Sequence, residues 1–147
     1  MKASLHIVAV FCTALVLNAT SAFSHCEVPC GIYDDEVRMM MVFEHAATIE
    51  KAMKQIAELE KGGNANQLVR WVTTKDYHAD ELQHIVSQYF MTQRIKFDAA
   101  DYDKKLASLH KLLVYAMQCK QTIDTGNVDK LRAAAEEFKA LYFTHSH

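Results

Sequence analysis

Proline is nearly absent from this chain: Pro29 stands alone, accompanied by only four glycines. Beyond residue 29 no helix is interrupted by a missing amide donor. Three of the glycines, Gly62, Gly63 and Gly126, fall where a helix can be stopped. A basic excess is missing too, with 16 Lys and Arg against 18 Asp and Glu. No cationic stripe is available to follow a phosphate backbone, which excludes nucleic acid as a partner. No apolar run after residue 24 is long enough to span a bilayer, so no membrane partner is expected after processing. Internal repeats, low-complexity segments and strand-like alternation are all lacking.

What is present begins with a leader. Lys2 gives a basic start, residues 7–17 are almost wholly apolar, and Ala22-Phe23-Ser24 places small residues where a signal peptidase reads. Residues 1–24 are expected to be a secretory signal peptide, cut after Ser24 by signal peptidase. The mature chain, 25–147, is then exported to a periplasm or secreted, or reaches an organelle lumen in a eukaryote. Loss of Lys2 takes the net charge from -2 to about -3. Loss of Cys12 leaves Cys26, Cys30 and Cys119, an odd number that argues against a disulfide-stapled scaffold. Cys119 reads as a buried or half-buried small hydrophobe.

Four helices are expected over the remainder. The first spans about 34–61, with Asp34 and Asp35 as caps, an apolar stripe at Ile49, Met53, Ile56 and Leu59, and a stop at Gly62-Gly63. The second spans about 65–94, with Leu68, Val72, Leu82, Ile85 and Tyr89 inward and a break at Thr73-Thr74 as one option. The third spans 99–125, with Tyr102, Leu106, Leu109, Leu113 and Ala116 as its stripe. Gly126 ends it, and Asn127 caps a fourth helix carrying Leu131, Ala135, Phe138 and Tyr142. Short connections make neighbours antiparallel, so 34–147 is expected to be an all-α, up-down four-helix bundle. Residues 25–33 stand before it as a separate N-terminal hook.

Cleavage after Ser24 makes His25 terminal and changes its chemistry. The His25 α-amine, the deprotonated Cys26 amide and the Cys26 thiolate close two fused five-membered rings around one ion. Cys30 completes the plane, because Pro29 and Gly31 allow the segment to turn back. Two nitrogens and two sulfurs in a plane suit Ni(II) or Cu(II), whereas zinc prefers a tetrahedron. The His25 imidazole is placed to bind axially, which makes the site redox-capable.

The run His25-Cys26-x-x-Pro29-Cys30-Gly31-x-Tyr33 resembles the nickel hook of the nickel-containing superoxide dismutases, and 25–147 resembles that family's small bundle, including Ser87-Gln88-Tyr89-Phe90. The resemblance implies conversion of superoxide to dioxygen and hydrogen peroxide through a Ni(II)/Ni(III) couple, with one nickel per subunit of a homohexamer. It implies that His25, Cys26 and Cys30 are the metal ligands. Tyr33 then lines the approach to the metal, and Tyr89 is a second aromatic near the site.

The chain departs from the best-known branch of that family at three positions. A glutamate and an arginine orient the axial imidazole in that branch, and their positions fall on Met41 and on or near His78. Glu44, one turn beyond Met41, and His78 are the expected substitutes. A lysine after the Tyr-Phe pair is Met91 here, which moves any steering of the anion to Arg94 or Lys96. Three other readings compete. One is an exported nickel- or copper-binding metallochaperone without turnover, and another is a helical partner-binding protein with a Cys26–Cys30 disulfide. The third is a di-iron bundle using Glu81 and His84, which lacks the second Glu-x-x-His such a site needs.

Overall fold

The computed structural model describes residues 35–144. His25, Cys26, Cys30 and Tyr33, the Ser24–His25 bond and the tail residues His145 and His147 lie outside the described residues. Helix α1 is Asp35–Leu59 and α2 is Ala65–His84, which continues without a turn into a π-helical segment, Ile85–Arg94. Helices α3, Tyr102–Gln121, and α4, Gly126–Phe143, complete the chain. No strand occurs among the described residues. Principal packing runs α1–α2, α2–α3, α3–α4 and α4–α1, closing the ring of an all-α, up-down four-helix bundle. Among the described residues no helix is long and apolar enough to cross a membrane.

The stripes explain the packing. In α1, Met39, Val42, Ala46, Ile49, Met53 and Ile56 are buried at alternating three- and four-residue steps, the spacing that keeps one seam facing the neighbours. Asp35 and Glu36 place negative charge at the positive end of the helix. Gly62 adopts φ +127° in the turn that follows. A Cβ on Gly63 would stand 2.8 Å from the Leu59 Cα, so only glycine permits this approach. Asn64 then caps α2, its side-chain oxygen accepting from the Asn66 and Gln67 amides.

Several expected boundaries are corrected. Thr73 and Thr74 do not break α2; their hydroxyls donate to the Val69 and Arg70 carbonyls one turn back. The regular α pattern changes at Ile85 instead. Val72 is exposed, not inward: the buried stripe steps through Lys75, Ala79 and Leu82, and its backward extension lands on half-buried Leu68 and Trp71. Helix α3 is shorter at both ends than 99–125: Asp101 takes a left-handed conformation at φ 54° just before it, and Thr122 is extended at φ -142° and ψ 172° just after it. Helix α4 starts at Gly126, one residue before the expected cap. Asp124 accepts from the Gly126 amide, while Asn127 is turned inward, its side-chain amide donating to the Thr122 hydroxyl.

One buried polar group ties α2 to the end of α3. Lys75 is 3% exposed, and its ammonium donates to the Cys119 and Lys120 carbonyls at 2.8 and 2.5 Å. It thereby satisfies orphan acceptors at the C-terminus of α3 and places a cation at the negative end of that helix. Cys119 is fully buried, as expected, and burial pushes its thiol up to about 11, leaving it unreactive.

Candidate metal centre

The expected ligands precede the described residues, so the described part of the site is the end of the bundle from which they depart. Asp35 opens α1 five residues after Cys30. Its carboxylate is a four-way acceptor. Oδ1 accepts from the Tyr89 hydroxyl at 2.5 Å. Oδ2 accepts from the Tyr142 hydroxyl at 2.6 Å and from Arg94 Nη2 and Nε at 2.6 and 3.1 Å.

Local structure builds this convergence. In an α-helix, residues five apart point about 140° away from each other. A π-helix closes its hydrogen bonds from i to i+5 and so brings fifth neighbours to one face. The Ile95 amide donates to the Phe90 carbonyl at 3.0 Å. The Thr92 and Gln93 side chains likewise donate to carbonyls five residues back, those of Ser87 and Gln88. This register lets Tyr89 and Arg94 reach the same carboxylate. Tyr142 arrives from the last turn of α4, on the stripe that already buries Phe138.

Charge and burial shape the acidities. Burial alone would raise the Asp35 carboxyl, but hydrogen bonds from Tyr142, Tyr89 and Arg94 together hold it below its ordinary 3.8. Burial, then the hydrogen bond to Asp35, pushes both phenols up to about 12. Arg94 is held more firmly charged by its bond to Asp35. Arg38 and Arg94 lie over the Tyr89 ring, 5.0 and 5.8 Å from its centroid, and the buried Lys105 lies 5.9 Å from that of Tyr142. Cations therefore outnumber the carboxylate in this cluster. Beside it, Met39, Met40, Phe43 and Phe143 line a groove of about 230 Å³ with Glu36 and Lys139 at its polar edges.

The expected supporting residues are placed as follows. Tyr89 is 2% exposed, with its only hydroxyl proton given to Asp35. Glu44 is exposed on α1. His78 is half-buried and paired with His45, their Nδ1 atoms 2.8 Å apart across the α1–α2 seam. Met41 and Met91 pack against the core, and Lys96 is exposed. Arg94 is committed to Asp35. Sequence reasoning read Asp35 only as a cap and Tyr142 only as core. The available signal was a tyrosine on an apolar stripe, whose polar tip requires a partner. The Nε2 of His45 is buried with no hydrogen-bond partner among the described residues.

The histidine pair carries a pH dependence. One ring must donate its Nδ1–H to the other's bare Nδ1, so the bond needs at least one neutral imidazole. Burial, then the facing His78, lowers His45 below its ordinary 6.5, outweighing the opposite pull of Glu81 and Glu44. The unfolded chain thus binds this proton first. The stabilisation is complete above 6.5 and is lost as pH falls through and below that value. Asp35 and Glu50, also lowered, act only nearer their ordinary 3.8 and 4.5. Urea midpoints should therefore decline from about pH 7 to about pH 5, and decline less steeply in His45→Phe. Equal slopes in the two proteins would refute the assignment.

The donors expected before Asp35 fit nickel: the Cys26 and Cys30 thiolates, with the amine that cleavage after Ser24 would free, would suit a tetragonal ion of this softness. Among the described residues no group of three or more His, Cys, Asp or Glu side chains is placed to hold a metal. Glu81 and His84 accordingly form no di-iron centre there. A family model described as nickel-containing superoxide dismutase matches residues 19–146, a span that includes the hook motif and all four helices. Comparison with curated proteins and with solved structures gives no match.

Proposed function

This chain belongs to the family of nickel-containing superoxide dismutases, and on that premise we propose that its working form begins at His25 and dismutes superoxide at a hook formed by residues 25–33. At family level the protein is an oxidoreductase acting on superoxide, with nickel as its metal. The finer reading assigns residues. His25 would supply its amine and imidazole, Cys26 its amide nitrogen and thiolate, and Cys30 the second thiolate, to hold one nickel per subunit. Nickel held there would supply one-electron redox chemistry between Ni(II) and Ni(III), the chemistry that conversion of superoxide to dioxygen and hydrogen peroxide requires.

The chain's own groups divide the remaining work. Removal of 1–24 by signal peptidase during export unmasks the amine and leaves 34–147 as the helical domain. Tyr33, two residues before Asp35 in the chain, would narrow the approach to small anions. Reduction to peroxide consumes two protons. Tyr89 is poorly suited to give one, since its proton points inward to Asp35 and its phenol is raised to about 12. The Tyr33 hydroxyl or solvent is the better source. His78 is engaged by His45, so orientation of the axial imidazole by His78 would act through that pair. A homohexamer completes the proposal.

The observation that carries this reading is a family match spanning His25, Cys26 and Cys30, in a chain whose described bundle offers no competing metal cluster. The test is to determine the N-terminus, nickel content and superoxide consumption of one purified preparation. The expected result is His25 first, one nickel per chain and rapid consumption. Activity with nickel from a chain beginning elsewhere would overturn the mechanism. Bound nickel without turnover would establish the metallochaperone reading instead.

A further inference from the structure

The Asp35 cluster does more than hold the fold. Resting on the function proposed above, we infer that Asp35 is a positioning residue: clamped by Tyr89, Arg94 and Tyr142, it fixes the point and direction from which the hook leaves the bundle.

The first turn of a helix has no internal partners for its amides and ordinarily frays. Asp35 sits in that turn, yet its carboxylate accepts from two other elements, the π-helical segment and the last turn of α4. Attachments on both sides suppress pivoting of α1 as well as fraying. Cys30 lies five residues upstream, a reach of at most roughly 18 Å. Over so short a tether, the position of the α1 terminus limits where the ligands can reach.

Energetics points the same way. Taking a carboxylate, two phenols and a guanidinium partly out of water costs about as much as their mutual bonds return, and apolar side chains of similar size would stabilise a bundle at least as well. A charged cluster instead specifies geometry, because each hydrogen bond constrains distance and angle. The π-helical register, itself uncommon and frequent at functional sites, is what delivers two of the three partners. Core burial alone would not require that register.

The test compares Asp35→Asn and Tyr142→Phe with Lys75→Met, a destabilised control at the far seam, all in the trimmed full-length protein. Electron paramagnetic resonance of the oxidised metal is read with nickel content, turnover and thermal midpoint. Nitrogen splitting in that signal reports the axial imidazole, which loss of stability alone does not alter. Asp35→Asn is expected to retain nickel but to show more than one signal, with turnover lower by about 10- to 100-fold. Tyr142→Phe, which removes one donor, should shift the same way by less. Lys75→Met should melt earlier with a single unaltered signal. A single wild-type signal in Asp35→Asn, or in Tyr142→Phe should Asp35→Asn not fold, overturns the inference. Amide hydrogen exchange over residues 30–36 decides independently of the metal. If wild-type protein binds no nickel, the proposed function fails, yet faster exchange in Asp35→Asn still upholds the anchoring and unchanged exchange still refutes it.

Discussion

A chain that keeps one residue ahead of His25 is expected to fold into the same bundle and to consume superoxide no faster than nickel-free protein. Every helix of the bundle starts at or after Asp35, ten residues beyond the altered bond, so circular dichroism and thermal midpoint should match the trimmed protein. The metal chemistry is what changes. A secondary amide at His25 has no basic lone pair and could bind only by losing its proton as Cys26 does, so the neutral amine donor is lost and the proposed donor set changes. The remaining thiolates still attract soft ions, but a different donor set holds them with a different couple. Cys30→Ser should produce the same loss by removing the second thiolate. Retained wild-type turnover in the extended chain would show that the amine is not a ligand.

The second large effect is on stability. Phe90→Ala is expected to cost about 3–5 kcal/mol, read from urea or thermal unfolding. Phe90 is fully buried, and its ring meets Phe138, Tyr89 and Tyr142 edge-on at 4.9, 5.3 and 5.6 Å between centroids. Its carbonyl also accepts the Ile95 amide that closes the π-helical segment. Truncation therefore empties the centre of an aromatic cluster and loosens the two tyrosines that hold Asp35. Phe138→Ala should approach the same cost, since that ring packs against Phe90 and stacks on Tyr142. A loss below about 1 kcal/mol would mean the surrounding rings collapse into the space.

Much of the fold was legible without coordinates. Apolar residues recurring at three and four positions identify helices wherever they face a common core, and Gly62-Gly63 marks a stop for a steric reason visible in the chain itself. Errors arose where one residue of register mattered. Val72 was read inward because it fits the periodicity, but the seam passes through Trp71 and Leu68. Gly126 was read as a terminator, while Asp124 makes it a start by accepting its amide.

The candidate ligands were legible because their chemistry is local. The amine, imidazole, amide and thiolates of His25, Cys26 and Cys30 lie within six consecutive residues, and chelation by adjacent groups follows from bond lengths alone. The Asp35 cluster is a different matter. Its members stand 54, 59 and 107 positions apart in the chain, and the His45–His78 pair 33. No local rule joins such residues. The sequence by itself determined the helices and the turn glycines, and it proposed a donor set made of neighbours. Only the tertiary structure decided which buried polar tips meet, because that depends on the rotation of each helix about its axis and on one stretch of π-helical register, both set by packing against the other three helices.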